Sequence, residues 1–156
     1  DRPYLGADDP NPYSIELHRL HAALPVPLRR RVEIVAETSD VQRYYQAADV
    51  FVCTSRIESA PRVLLEAMAM GLPIITTPVF GIQEQVREGV NALFFSPGDT
   101  SALARAIRQL ISDEALRTGM TKASPMVAAA LPSHSAMIAA YEQCLLESAY
   151  PPRVRE

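Results

Sequence analysis

Thr54-Ser55-Arg56-Ile57-Glu58-Ser59-Ala60-Pro61-Arg62-Val63-Leu64-Leu65-Glu66 follows directly on the apolar tetrapeptide Val50-Phe51-Val52-Cys53. The tetrapeptide has no polar alternation, which is the pattern of a strand buried on both faces. Beyond it the spacing turns helical, from about Pro61 to Met70. Proline suits the first turn because its missing amide would have no intrahelical partner, and Gly71 suits the end because it tolerates the left-handed conformation. Leu72 to Thr76 then reads as a further strand. Strand, loop, helix and strand in this order form a βαβ unit, and apolar strands joined by helices imply a parallel sheet covered on both faces.

Upstream of this unit, Val32 to Val35 reads as a strand and Asp40 to Ala48 as a helix capped by Asp40. Downstream, a short helix near Gln83 to Arg87 precedes a strand from Asn91 to Phe95 and the turn Ser96-Pro97-Gly98-Asp99. Thr100 is read as the cap of a helix through Leu110, whose stripe Ala102, Leu103, Ala106 and Leu110 belongs to the core. Helices over Glu114 to Lys122 and, after the breaker Pro132, over Ser133 to Ser148 complete the pattern. At the other end, Ser14 to Leu24 has an amphipathic spacing through Ile15, Leu17, Leu20 and Leu24. The expected organisation is a polar lead-in or trimmed strand over 1–12, with Tyr4-Leu5-Gly6 as its remnant. A Rossmann-like, doubly wound α/β domain then covers 13–132, a C-terminal helix 133–150 and a tail 151–156. Such sheets take their ligands beyond the carboxyl ends of the strands.

The 156 residues are 48% apolar and 21% charged, the composition of an ordinary globular domain. The chain opens at Asp1 in a proline-rich stretch without an initiator methionine or a signal-like segment, so a piece of a longer protein is expected. A net charge of −3 supplies no basic excess for a nucleic-acid partner. The two cysteines, Cys53 and Cys144, have no C-x-x-C spacing, which supports neither a disulfide scaffold nor a zinc site and fits a reducing cytoplasm. The apolar stretch Val63 to Ile75 is too short to span a bilayer and contains Glu66, Gly71 and Pro73, so no membrane contact is expected from these residues. There is no G-x-G-x-x-G, Walker A loop, D-x-D or G-x-S-x-G elbow.

Chemistry concentrates between Thr54 and Glu66. With Pro61 as first helical residue, Ala60 is the expected N-cap and has no side-chain acceptor for the amides of Arg62 and Val63. Those amides, the positive helix end and the Arg62 side chain can receive an anion such as a diphosphate, or water can satisfy them. Glu66 is the only charge between Val63 and Ile75. It can pair with Arg62, point to solvent, or meet a ligand hydroxyl. Tyr44 and Tyr45 are expected to pack, one of them edging the cleft. His18, His21 and His134 read as surface or helix-packing residues.

Glu58 and Glu66, with seven residues between them, lie in a stretch that runs on through Ala67-Met68-Ala69 to Gly71-Leu72-Pro73-Ile74-Ile75. This resembles the E-x7-E signature of retaining glycosyltransferases of family four. Asp40-Val41 and Tyr44 to Val52 resemble the element before that signature. Gly81-Ile82, Glu84, Gly89, Asn91 and Pro97-Gly98-Asp99 resemble the elements after it, so the likeness covers roughly 13 to 148. It implies the C-terminal, donor-binding half of a GT-B enzyme, lacking its first strand and that strand's loop with a basic pair. Ala36-Glu37-Thr38 also replaces a glycine usual there. The resemblance assigns Glu58 to hydroxyls of the donor sugar in catalysis and Glu66 to the ribose of a nucleotide-sugar. It gives Ser59, Ala60, Pro61, Arg62 and Val63 to the sugar and diphosphate through their amides, Pro61 having none, and the backbone of Ser39, Asp40 and Val41 to the base. It implies no metal or other cofactor. An N-terminal acceptor domain would be the partner, with turnover absent from this chain alone and any membrane association through that domain. A GT-B nucleotide-sugar epimerase, a phosphorylase and a non-catalytic nucleotide-binding or scaffold domain are the rival readings.

Overall fold

The computed structural model describes residues 12–149; the lead-in with Tyr4-Leu5-Gly6 and the tail 151–156 lie outside the described residues. The chain divides into two compact units, Asp1–Asp40 and Val41–Glu156.

In the first unit, α1 (Pro12–Ala23) and α2 (Val26–Arg29) contain no buried residue. Ile15, Leu17 and Leu20 are exposed and Leu24 is half-buried, so the amphipathic face expected over Ser14 to Leu24 is not a buried one. Helix α2, which the sequence pattern does not announce, is a single turn with Pro27 in it and Pro25 at its N-cap. The strand expected over Val32 to Val35 does not form. A strand is held by a neighbour's ladder and by burial; this segment has no ladder partner among the described residues, and Val32 and Val35 are exposed. What fixes it instead is a hydrogen bond of 2.9 Å between His21 Nε2 and the Val32 carbonyl.

The second unit carries the sheet. Strands β1 (Phe51–Cys53), β2 (Ile74–Thr76) and β3 (Ala92–Phe94) lie side by side in that order, all parallel. Phe51 pairs with Ile74 and Ile74 with Ala92; Cys53 pairs with Thr76 and Thr76 with Phe94. Successive strand residues point to opposite faces, and the neighbours Ile74 and Ile75 are both fully buried in different clusters. Ile74 packs with Tyr45, Leu64, Met68 and Ile82, whereas Ile75 packs with Ala106, Leu110 and Met120. The sheet is thus covered on both faces, as the unbroken apolar strands require.

The helices of this unit are α3 (Gln42–Ala47), α4 (Arg62–Ala69), α5 (Ile82–Gln85), α6 (Thr100–Ser112), α7 (Glu114–Ala129) and α8 (His134–Ala149). Three of them start away from the expected caps. The N-cap of α3 falls at Val41 rather than Asp40. Asp99, not Thr100, caps α6: its carboxylate accepts from the Ala102 amide at 2.8 Å. At α4 the N-cap is Pro61, not Ala60, because its ψ of 120° is still extended and the helix starts at Arg62. The other end of α4 behaves as expected. Gly71, at φ 76°, lets its amide reach the Met68 carbonyl and the Leu72 amide reach that of Ala67, both at 3.0 Å.

Helix α7 runs past the expected end at Lys122 and through Pro125. Packing against α4 outweighs the missing amide. Buried Ser124 donates to the Leu72 carbonyl at 2.7 Å, tying α7 to the turn that begins β2.

Candidate functional site

The loop Thr54 to Pro61 leaves the carboxyl end of β1 and delivers the chain to the N-terminus of α4. It is held from below and from the side. Thr77, fully buried just past β2, donates its hydroxyl to the Ser55 carbonyl. The Ser55 hydroxyl in turn donates to Glu58 Oε1 at 3.3 Å, and Cys53 Sγ lies 3.5 Å from the same hydroxyl. From the neighbouring crossover, Gly81 comes so close to the Ser59 carbonyl that a β-carbon there would overlap the oxygen and sit 2.8 Å from its carbon. Beside it, Phe80 has φ 43° and is 70% exposed, an unfavourable backbone state for a bulky residue.

Helix α4 begins with no side-chain cap, so the Arg62 and Val63 amides face outward without an intrahelical partner. Arg62 and Val63 are exposed, as are Ser59 and Ala60, while Pro61 is buried. Glu58, before the helix, and Glu66, one turn into it, are half-buried. A rise of about 1.5 Å per residue puts Glu66 about 6 Å along the axis from Arg62. The structure therefore brings Glu58, Ser59, Ala60, Pro61, Arg62, Val63 and Glu66 together on one loop and one helix start. Val41 precedes α3 in the same unit; Ser39 and Asp40 belong to the first unit, where the Asp40 amide donates to Thr38 Oγ1 at 3.1 Å.

Glu66 does not rely on Arg62. The closest approach of Arg62 Nη2 to Glu66 Oε1 is 4.0 Å, with the arginine side chain 89% exposed, a pairing worth little in water. Its firm partner is Tyr45, whose hydroxyl donates to Glu66 Oε2 at 2.9 Å. Burial, then this hydrogen bond and the carboxylate's charge push the Tyr45 phenol up to about 12. Spacing along the chain does not reveal this pair, since the residues are 21 apart. The signals available were the tyrosine's place before β1 and an otherwise unexplained charge in a core-like helix.

Among the described residues no three His, Cys, Asp or Glu side chains are gathered as a metal site would require. Cys53 and Cys144 are free. Among the described residues no helix is long and apolar enough to cross a membrane.

A parallel sheet covered by helices on both faces defines a Rossmann-like α/β domain, an architecture whose ligands lie beyond the carboxyl ends of the strands. Residues 6–113 match the sequence family described as glycosyl transferases group 1, and the chain belongs to that family. The lipopolysaccharide core biosynthesis glycosyltransferase LpsE of Rhizobium meliloti is 35% identical over 129 residues, covering 83% of this chain and 37% of LpsE. Sucrose-phosphate synthase from Thermosynechococcus elongatus superposes with a TM-score of 0.71 at 30% identity, over 86% of this chain and 35% of that one. HepE from Anabaena, in complex with UDP-glucose, superposes with a TM-score of 0.73 at 26% identity, over 88% of this chain and 37% of that one. The chain thus spans little more than a third of these relatives, and its architecture is that of one half of a GT-B glycosyltransferase.

Proposed function

We propose that these residues form the donor-binding part of a retaining glycosyltransferase, which moves a sugar from a nucleotide-sugar to an acceptor held by an N-terminal domain outside them. The observation that carries the reading is the pair Glu58 and Glu66 on either side of an uncapped helix start, reinforced by a relative solved with UDP-glucose. Glu66 takes the ribose hydroxyls, an ionised carboxylate being an acceptor only. The Arg62 and Val63 amides, with the positive end of α4, take the diphosphate. Their contribution grows as negative charge develops on the departing diphosphate, which is stabilisation of the transition state rather than of the bound donor.

Glu58, steadied by Ser55, orients the hydroxyls of the transferred sugar. No metal is required in this scheme, because amides and the Arg62 guanidinium neutralise the leaving group. A cytoplasmic site of transfer, with any membrane association through the N-terminal domain, belongs to the same proposal.

The test is turnover by the complete protein with UDP-, GDP- and ADP-sugars, reading the anomeric configuration of the product by NMR. Retention is expected, with Glu58→Ala lowering kcat/KM on the order of a hundredfold. Inversion, or a Glu58→Ala enzyme that turns over normally, would contradict it.

A further inference from the structure

Glu66 sits half-buried on α4, followed by Ala67 and Met68 fully inside the core and preceded by the exposed Leu65. A free glutamate side chain at such a place would sample several rotamers, and a ligand would have to select one of them. One carboxylate oxygen is nevertheless already committed. Tyr45 is 7% exposed, its ring lies 5.8 Å from that of Phe51 at 50°, and it shares a cluster with Leu64, Ala67 and Met68. The ring is therefore immobilised by the same core that carries α4, and its hydroxyl meets Glu66 Oε2.

We propose that Tyr45 is a positioning residue: it holds the Glu66 carboxylate in one rotamer, leaving Oε1 and the remaining lone pairs of Oε2 aimed at a vicinal diol of the ligand. The inference rests on the reading of Glu66 as the ribose-binding residue and extends it to a residue that touches no ligand. Three features make the arrangement suited to that work. The donor is a neutral hydroxyl, so it fixes the carboxylate without neutralising it, as a close arginine would. The bond engages Oε2 alone, and Oε1 has no closer cation than the exposed Arg62 at 4.0 Å, so Oε1 is left to a ligand. The phenol stays protonated across the physiological range, so the contact persists whenever a ligand arrives.

The consequence falls on discrimination between ribose and deoxyribose. Loss of an oriented acceptor costs a ligand hydroxyl about tenfold in affinity, whereas a ligand lacking that hydroxyl has nothing to lose. Binding far from the reacting carbon is also felt equally in ground and transition states, so KM for the donor should move and kcat should not.

The experiment measures, by calorimetry on the complete protein, affinities for UDP, GDP and ADP and for the 2′,3′-dideoxy counterpart of whichever binds tightest. Wild type is compared with Tyr45→Phe, which keeps the packed ring, and with Glu66→Ala, which removes the acceptor. Wild type should prefer the ribose form; Glu66→Ala should abolish the preference; Tyr45→Phe should weaken the ribose form about tenfold and the dideoxy form less than twofold. The unchanged dideoxy affinity is the readout that mere destabilisation would not give. If Tyr45→Phe weakens both forms equally, the tyrosine acts through packing and the inference is overturned. If it leaves the preference intact while Glu66→Ala abolishes it, the inference fails and the role of Glu66 stands. A preference that survives Glu66→Ala, or no binding of any of the three nucleotides, overturns the reading of Glu66 and the inference with it.

Discussion

A β-carbon on Gly81 would overlap the carbonyl oxygen of Ser59, so the loop that carries Glu58 is packed directly on the glycine of the next crossover. The φ of Gly81 is −67°, a value any residue adopts, so the requirement for glycine there is one of space alone. Gly81→Ala must therefore push Ser59 and Ala60 away. The expected cost in stability is about 1–3 kcal/mol. Because the displaced backbone leads straight into the uncapped start of α4, donor KM should rise together with the fall in Tm. A variant with wild-type KM and Tm would show that the two segments are not in contact.

The caps offer a contrast that separates stability from function. Asp99 and Asp113 accept the Ala102 and Leu116 amides, each at 2.8 Å, and neither belongs to the Thr54 to Glu66 segment. Asp99→Ala and Asp113→Ala should each cost about 1 kcal/mol in urea denaturation. Neither should change kcat/KM.

Ser124 ties α7 to the turn before β2. Removing its hydroxyl leaves the buried Leu72 carbonyl without that donor, at a cost of about 1–3 kcal/mol. Ser124→Ala should lower the denaturation midpoint, whereas Ser112→Ala, at an exposed helix end, should leave it within about 0.5 kcal/mol.

The Tyr45 phenol gives a pH dependence of known sign. Its folded-state value is raised from 10.0 to about 12 by burial and by Glu66. The folded protein therefore holds this proton more tightly than the unfolded chain, and the unfolded chain loses it first. The stability it contributes is fully present below about pH 10 and is lost as pH rises towards 12. Denaturation of wild type and Tyr45→Phe across this window should give a difference that is constant below about pH 10 and shifts in the phenylalanine variant's favour above it. A constant difference throughout would contradict the assigned environment.

The sheet was legible in the sequence because its apolar strands and the helix between Pro61 and Gly71 carry local signals: fully apolar runs, a proline at the start and a glycine at the end. Ser59 to Val63 and Glu66 drew notice from local signals, an uncapped helix start and a charge in an apolar stretch, whereas Glu58 was singled out only by the resemblance of its spacing to a family signature. What local pattern could not supply was partnership across the fold. Val32 to Val35 looks like a strand in isolation, yet a strand exists only against another, and none among the described residues pairs with it. Likewise Arg62 was a plausible partner for Glu66 by helical spacing, while the partner that forms is Tyr45 on α3. Pro125 argues for a break by propensity, but burial of Met120 and Ser124 keeps α7 continuous around it.

The proposed function stands or falls with a nucleotide-sugar lying across the start of α4, its ribose on Glu66. A crystal structure of the complete protein with the nucleoside diphosphate it binds would decide this. Ribose hydroxyls are expected within hydrogen-bond reach of the Glu66 carboxylate, about 2.6–3.2 Å, and diphosphate oxygens on the Arg62 and Val63 amides. A nucleotide bound elsewhere, with Glu66 still touching only Tyr45 and solvent, would contradict it.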